Sequence, residues 1–362
     1  MKKTLALILA LCMVFALAAC GSSAAPAATA APAEAPAEAP AEAPAEAPAE
    51  APAADAEYTL GMGVELSMNS SKTNNAQVDA TVAAVVLDGE GKIVSCRLDV
   101  AQDKMDVTDG AVNTEATFKT KMELGDDYGM VAYGNAIAEW YDQAKAFEAY
   151  VVGMTGAEVE ALETVVNESG HNVSTDEALL AGCTMDITSF KAAVVKACSG
   201  LNAAPFTGAD FTLGVAAIST AAESTPAADD ADAVVKMYTN YAAAAVGADG
   251  TILAAVTDAS QPQITVDKNG EIVETKFNGT KMELGDAYGM VAYGNAIAEW
   301  NAQAAAFANY TVGKTAADVR GIETVTNESG HNVSTDDTLL AACTMDITGM
   351  MAVIALSADN AR

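Results

Sequence analysis

The sequence predicts an α+β fold of two tandem homologous domains, each an antiparallel sheet with helices packed on one face. The first observation is an internal repeat, because residues 120–141 and 280–301 differ at only two of 22 positions. The second is that strand-like alternation comes first in each copy and helix-like periodicity follows. A repeat period of 160 residues is too long for a solenoid unit. We therefore predict two domains, at residues 58–200 and 201–362.

The chain begins with the pattern of a bacterial lipoprotein signal. Lys2 and Lys3 form a positive n-region, residues 5–17 are apolar, and residues 17–20 read Leu-Ala-Ala-Cys. These four residues resemble the lipobox, which implies cleavage before Cys20 and attachment of diacylglycerol to its sulfur. The apolar run is too short to be a stable membrane span. We expect a lipid-anchored protein on the outer face of the cytoplasmic membrane; an ordinary signal peptide with an accidental cysteine is the alternative.

After the signal peptide of residues 1–19, residues 20–57 contain the lipidated cysteine and a low-complexity spacer. Its Ala-Pro-Ala-Glu repeat has a proline at every fourth position, which prevents a continuous helix. The evenly spaced glutamates repel one another, so we expect an extended, partly polyproline-II chain. Apart from proline, the repeat has no apolar residue larger than alanine to bury in a core.

The front half of each repeat is predicted to form strands. Residues 58–68 and 77–87 alternate or run apolar, with many β-branched residues. The Asp-Gly-Glu-Gly turn at residues 88–91 leads into a returning strand at 92–100, which is a hairpin pattern. The same turn recurs in the second copy at residues 248–250, so both copies are predicted to begin with an antiparallel sheet.

The later half of each repeat changes to the helical period. An apolar stripe opposite Glu139, Asp142 and Glu148 predicts a helix over residues 135–152. The stripe consists of Ile137, Trp140, Tyr141, Ala144, Phe147 and Val151. The elements predicted after it are a short helix at 156–163, a helix at 178–181 capped by Ser174 and Glu177, a strand at 183–187 and a final helix at 189–198.

Charge and motif content exclude several classes of function. The chain has 18 Lys and Arg against 49 Asp and Glu, for a net charge of −31, or −33 once Lys2 and Lys3 are removed. Such a field repels nucleic acid, so we predict no nucleic-acid partner. No P-loop, dinucleotide fingerprint, nucleophile elbow or zinc-protease motif occurs. We therefore predict no catalytic residue.

Two blocks that both copies retain supply the candidate ligand-binding residues. One is the Lys-Met-Glu-Leu-Gly-Asp block with the tyrosine that follows it, and the other is a Gly-His-Asn loop. The candidates are Lys121, Asp126, Tyr128, His171 and Asn172 in the first copy, and Lys281, Asp286, Tyr288, His331 and Asn332 in the second. If they form a pocket, the two blocks must be neighbours in space. The alternatives are a glycine-dependent connection for the first block and a loop before a capped helix for the second.

The histidines and cysteines favour neither a metal site nor a disulfide framework. One histidine per domain falls short of the three or four ligands of a stable metal site, so no metal is predicted. Cys183 and Cys343 are equivalent, and a bridge within each domain would require the same pair twice. We predict buried free thiols, while a bridge between Cys96 and Cys198 stays open.

Four segments resemble a known group of proteins. They are residues 58–64, 88–94, 121–130 and 139–141, and they resemble uncharacterised, duplicated lipoproteins of Gram-positive anaerobes. These are similar, more distantly, to lipoproteins with an FMN-binding domain. Covalently flavinylated members carry an Asp-Gly-x-x-Gly-Ala-Thr type motif whose threonine takes the flavin phosphate. Residues 109–114 are the nearest stretch and lack that pattern, so the resemblance implies no flavin-binding residue here.

These features together predict a surface-displayed, non-enzymatic lipoprotein with two binding or structural domains on an acidic stalk. Its expected partners are the membrane, through the lipid on Cys20, and a cell-wall component or a small molecule. The alternative is an extracytoplasmic electron-transfer lipoprotein that holds FMN non-covalently. The absence of a nucleotide-phosphate motif and the negative charge favour the first hypothesis.

Overall fold

The computed structural model describes residues 56–362 of the protein. The predicted signal peptide, the lipobox cysteine and nearly all of the spacer lie outside the described residues. The residues that the structure describes belong to one compact unit. None of their helices combines the length and the apolar composition needed to cross a membrane.

The first repeat follows the predicted order of strands and helices. Its strands are β1 (Glu57–Ser67), β2 (Asn75–Leu87), β3 (Ile93–Asp106), β4 (Thr164–Val166) and β5 (Asn172–Ser174). Its helices are α1 (Lys121–Leu124), α2 (Met130–Gly134), α3 (Trp140–Tyr150), α4 (Gly156–Glu160), α5 (Glu177–Leu180) and α6 (Thr188–Cys198), with a 3₁₀ turn at Gly125–Tyr128.

The second repeat has the same order with additional short strands. Its strands are β6 (Ala203–Thr207), β7 (Phe211–Thr220), β8 (Ala233–Lys236), β9 (Tyr238–Gly247), β10 (Ile252–Ser260), β11 (Gln263–Val266), β12 (Ile272–Lys276), β13 (Thr324–Thr326) and β14 (Asn332–Ser334). Its helices are α7 (Lys281–Leu284), α8 (Met290–Gly294), α9 (Trp300–Tyr310), α10 (Ala316–Arg320), α11 (Asp337–Leu340) and α12 (Thr348–Asp359), with a 3₁₀ turn at Gly285–Tyr288.

Two antiparallel sheets organise these elements, and they confirm the predicted fold class. One has the order β3-β2-β1-β6 and the other the order β10-β9-β7. A smaller sheet, β12-β11-β8, continues the second repeat. In the first repeat α3 and α6 pack on one face of the sheet, and in the second α9 and α12 do the same. The two repeats are therefore similar halves, each with a sheet and helices on one face.

Glycine lets the last helix of each repeat pack directly against the sheet. A side chain at Gly61 in β1 would collide with the Ala197 carbonyl of α6, and one at Gly214 in β7 would collide with the Ser357 carbonyl of α12. Both glycines belong to the corresponding Leu-Gly pairs of the two opening strands. The close approach of helix and sheet thus depends on the missing Cβ atom.

The faces of the two sheets that lack helices pack against each other. This shared core joins Leu60 and Val82 of the first sheet to Leu213, Tyr241 and Val256 of the second. A further core packs the ends of β2 and β3 against the small sheet of the second repeat. In addition, β6 of the second repeat pairs with β1. Each repeat has its own helix-side core, but much of the apolar surface is shared between the two.

Several local predictions differ from the structure. The predicted helix over 135–152 begins only at Trp140, because Asn135 adopts a left-handed conformation (φ 51°) that ends α2. Ile137, assigned to the apolar stripe, is 57% exposed, whereas Glu148, assigned to the polar face, is buried. The predicted strand at residues 183–187 is wrong, since these residues form an irregular loop with a bend at Met185.

Glu148 is buried because it has partners that the helical pattern does not reveal. Its carboxylate accepts a hydrogen bond from the Leu98 backbone nitrogen at 2.8 Å. It also pairs with Arg362 at 3.0 Å and Arg97 at 3.7 Å. At α5, the cap is Asp176 and not Ser174, since the Asp176 carboxylate accepts from the first backbone nitrogens of that helix.

The four cysteines in the described part of the chain are free thiols. Cys96, Cys183 and Cys343 are buried, and Cys198 is half-buried. Burial raises the pKa of each thiol, to about 11 for Cys198. The structure therefore has no bridge between Cys96 and Cys198.

Candidate functional site: a lysine pocket in the second repeat

The second repeat contains a cavity of about 740 Å³ that residues from both retained blocks line. Lys281 and Tyr288 come from the first block, and His331 comes from the Gly-His-Asn loop. Asp286 does not line the cavity and is exposed in the 3₁₀ turn. We call this cavity the lysine pocket. A volume of this size suits a small organic molecule.

Helix α7 fixes the position of Lys281. Thr280 caps the helix, and its hydroxyl and the Glu283 carboxylate form a reciprocal capping box. The buried Asp258 of β10 accepts a hydrogen bond from the Met282 backbone nitrogen at 3.0 Å. Burial raises the pKa of Asp258 to about 7, although hydrogen bonds from Thr280 and Met282 lower it. Asp258 thus anchors the short helix to the sheet and holds Lys281 in place.

Three aromatic rings surround the ammonium of Lys281. Its Nζ lies 4.8 Å from the ring centre of Tyr238, 4.7 Å from that of Tyr288 and 5.3 Å from that of Trp300. It also donates a hydrogen bond to the Tyr238 hydroxyl at 3.0 Å. Lys281 is only 6% exposed. Ring faces attract a cation at these distances, so they favour the charged ammonium within the pocket.

No carboxylate in residues 56–362 forms an ion pair with Lys281. The two carboxylates that line the pocket have other partners. Glu223 pairs with Lys236 at 3.7 Å, and Asp346 accepts from the backbone nitrogens of Asn332 and Thr348, each at 2.9 Å. Burial lowers the pKa of Lys281 to about 8, although the charges of Asp258 and Glu223 raise it. The pocket therefore contains a desolvated cation without a direct counter-ion.

The histidine loop forms part of the pocket rim. The Asn327 side-chain oxygen accepts hydrogen bonds from the backbone nitrogens of Ser329 and His331, each at 3.0 Å. Gly330 takes the left-handed conformation (φ 82°) that this tight turn requires. The His331 side chain is exposed, and Asn332 contributes its backbone nitrogen to Asp346. Asn332 thus fixes the loop rather than lining the cavity.

The first repeat arranges the equivalent residues differently. Lys121 lies 4.8 Å from the Tyr128 ring centre and 5.6 Å from that of Trp140. Asp126 is exposed and accepts a hydrogen bond from the Tyr141 hydroxyl at 2.9 Å. It lines a separate cavity of about 520 Å³.

The histidine loop of the first repeat has the same internal bonds as its copy. His171 is exposed, and its backbone nitrogen donates to the Asn167 side chain at 3.0 Å. The Asn172 backbone nitrogen donates to Asp186 at 2.8 Å. In both repeats, therefore, the histidine loop is held by an asparagine turn and an aspartate from the segment before the last helix.

Tyr238, Glu223 and Asp346 line the lysine pocket but are not among the predicted site residues. Tyr238 lies in the front half of the repeat, where the copies have diverged, so comparison between them does not single out this position. The Tyr-Thr-Asn-Tyr alternation at residues 238–241 is the signal that the sequence offers, since in a strand it places Tyr238 on the same face as Asn240.

No group of three or more His, Cys, Asp or Glu side chains in the described range is arranged to hold a metal ion. The chemistry of the lysine pocket is defined by the buried Lys281 ammonium and the rings around it. The lysine pocket offers an ammonium, hydroxyl groups and ring faces, which together suit a small molecule with an acceptor group and an apolar body.

The fold and the pocket define a duplicated α+β protein with a site of small-molecule size. No protein-family model matches the chain, and no solved structure does. A chlorophenol reductase of Desulfitobacterium hafniense is 31% identical to it over 116 residues, which cover 28% of this chain and 36% of that protein. The similarity thus spans about a third of the relative's length, and it shows weak homology to a reductase.

Proposed function

We propose that the protein is a lipid-anchored binding protein whose second repeat binds a small, acidic aromatic compound. The observation that carries this proposal is the buried Lys281 ammonium, which faces a cavity and forms no ion pair with a carboxylate of residues 56–362. The proposal assigns the protein a binding role on the outer face of the membrane and no catalysis.

Electrostatics favours an anion at this position. A buried charge without a partner is costly, and an anion that enters the pocket removes that cost. Lys281 has three N–H donors, of which one points to the Tyr238 hydroxyl. A carboxylate or phenolate oxygen accepts the others and gains a charge-assisted hydrogen bond.

The walls of the pocket favour an aromatic ligand. Tyr238, Tyr288 and Trp300 all line it, together with Met290 and Met350. Aromatic rings pack well against such side chains, and thioethers make favourable contacts with ring edges. The relative's name, chlorophenol reductase, describes an enzyme that acts on an acidic aromatic compound. A phenolate therefore fits both the charge and the walls.

Replacing Lys281 by methionine is expected to remove this binding, because the side chain keeps its length and loses its charge. Purified full-length protein in detergent is titrated calorimetrically with 2,4,6-trichlorophenolate and with benzoate. We expect affinity to fall at least about tenfold, the equivalent of about 1.4 kcal/mol. Lys121→Met is the matched control in the first repeat and should leave affinity unchanged. Equal binding by wild type and Lys281→Met would contradict the proposal.

The lipid anchor forms a separate part of the proposal. In a Cys20→Ala variant we expect no processed protein in the membrane fraction, only uncleaved precursor or protein released to the medium. The reason is that the proposed lipid has no other attachment atom. Fractionation followed by mass spectrometry of the amino terminus measures this. A normal amount of processed, membrane-bound variant would show that the protein is held by something else.

A second candidate function is electron transfer with non-covalent FMN, and the weak homology to a reductase favours it. The lining of the lysine pocket does not fit the phosphate of FMN well. It offers Lys281 but also the carboxylates of Glu223 and Asp346, whose repulsion of a phosphate dianion is about twice their repulsion of a singly charged phenolate. Flavin absorbance in the purified protein would support this candidate over the first.

A further inference from the structure

We propose that the chain binds one anion and not two, because Tyr238 in the second repeat is replaced by Asp79 in the first. This inference rests on the proposed function and specifies which residue decides it. Tyr238 permits the anionic ligand, whereas Asp79 excludes it from the equivalent site beside Lys121. Two repeats that share most of their site residues thereby differ in what they bind.

The strand register establishes that Asp79 and Tyr238 are equivalent. Asp79 of β2 lies opposite Gln102 of β3. In the second repeat Thr239 lies opposite Ser260, which places the preceding residue, Tyr238, opposite Gln261.

The two glutamines have equivalent partners, which supports the same alignment. Gln102 accepts a hydrogen bond from the Tyr128 hydroxyl at 3.5 Å, and Gln261 accepts one from the Tyr288 hydroxyl at 3.2 Å. Both glutamines therefore bond to the tyrosine whose ring contacts the lysine of their own repeat. Their opposite neighbours, Asp79 and Tyr238, lie on the same face of the sheet.

Asp79 places a fixed negative charge beside the first site. Its carboxylate accepts hydrogen bonds from the side-chain amides of Gln77 at 2.9 Å and Gln102 at 2.8 Å. Through Gln102 it is connected to Tyr128, whose ring lies beneath the Lys121 ammonium. Asp79 forms no ion pair within residues 56–362, whereas in the lysine pocket Glu223 pairs with Lys236 and Asp346 accepts two backbone hydrogen bonds. The uncompensated charge of Asp79 therefore repels an anion that approaches Lys121 more strongly than those two carboxylates do in the second site.

Tyr238 has the opposite effect in the second site. Its ring forms the third wall around Lys281, and its hydroxyl accepts from the ammonium without carrying a charge. The lysines differ accordingly in exposure. Lys281 is buried, whereas Lys121 is half-buried and open to hydration. The first ammonium is thus open to solvent, and the second is left with donors for a ligand.

Exchanging the two residues tests the inference. With full-length protein and 2,4,6-trichlorophenolate, calorimetry should give one site per chain in the wild type. Tyr238→Asp should weaken binding at least about tenfold, and Tyr238→Phe should weaken it less because the ring is kept. Asp79→Tyr should add a second site. Asp79→Asn covers the case in which a tyrosine does not fit at this position. It removes the charge without adding bulk and should add a second, weaker site.

The outcomes separate this inference from the proposed function. Loss of binding in Lys281→Met together with full binding in Tyr238→Asp would overturn the inference and leave the function standing. Two sites in the wild type would overturn it as well, as would one site in both Asp79 variants. If the wild type binds neither trichlorophenolate nor benzoate, the proposed function fails and this inference fails with it.

Discussion

A fragment spanning residues 57–200 is expected to lose the cooperative unfolding of the intact protein, although it contains the complete first repeat. Removing the second repeat exposes the apolar face of the first sheet and removes β6 from its edge. The large side chains uncovered are Tyr58, Leu60, Met62, Val64, Val82 and Val86. At about 1.5–3 kcal/mol each, their exposure removes on the order of 10 kcal/mol. That equals the whole stability of a typical domain.

Thermal unfolding followed by near-ultraviolet circular dichroism measures this effect. The intact chain should show one sharp transition, and the fragment should show a broad one and bind a hydrophobic dye. Mixing residues 57–207 with residues 208–362 is the matched control, since it restores both the sheet contact and β6. A sharp transition in the isolated, monomeric fragment would mean that each repeat is stable by itself, as the repeat pattern alone suggests.

Stability is expected to rise as the pH falls from 8 to 5, which is unusual for a folded protein. Burial raises the pKa of Asp99 and Asp103 to about 6, and that of Asp258 to about 7. The unfolded value is near 3.8. Because the pKa of each carboxyl is higher in the folded than in the unfolded state, ionising it lowers the free energy of unfolding as the pH rises from about 4 to about 7. This loss of stability is complete above about pH 7 and absent below about pH 4.

Asp103 should contribute most clearly, because both of its carboxylate oxygens are buried and lack hydrogen-bond partners among the described residues. The Ser219 hydroxyl lowers the Asp103 pKa, but it hydrogen bonds to Thr239 at 2.9 Å. The charge of Asp79 raises the Asp103 pKa further. We expect Asp103→Asn to stabilise the protein at pH 8 by up to about 3 kcal/mol, from a shift of 3.8 to about 6. At pH 4 the gain should vanish.

Asp249→Asn provides a control of opposite sign. Hydrogen bonds from the Thr251 hydroxyl and backbone lower the pKa of Asp249, so its charge stabilises the folded state above its unfolded pKa. This variant should be less stable than the wild type at pH 8. Denaturant unfolding at pH 4, 6 and 8 measures all three proteins. A free energy of unfolding for Asp103→Asn that stays below that of the wild type at pH 8 would show that the carboxylate has a stabilising partner.

The repeat comparison made much of the architecture predictable. Residues 120–141 recur almost unchanged, and the turns after β2 and β9 recur in register, so the order of elements in one copy could be checked against the other. The predicted α+β class with antiparallel sheets followed from these local signals. Apolar alternation also located β1, β2 and β3 to within a few residues, apart from the longer end of β3.

Boundaries that depend on distant partners were not predictable in the same way. The pattern placed Glu148 on a solvent face, but a buried carboxylate becomes acceptable when Arg97 and Arg362 approach it from other parts of the chain. Residues 183–187 have the composition of a strand, yet they form a loop whose backbone nitrogens donate to Leu179, to the Gln143 side chain and to Asn172. Propensity is a local property, and pairing is not.

The amino-acid sequence is sufficient to establish that two similar halves exist and that each presents a lysine block and a histidine loop. It did not determine that these blocks meet, because some 45 residues separate them along the chain. Only the tertiary structure placed Lys281 and His331 around one cavity and supplied Tyr238 from the sheet. It also decided that the two sheets bury their remaining faces against each other. Burial and charge at a site depend on everything that packs around it, and a linear pattern records only the nearest neighbours.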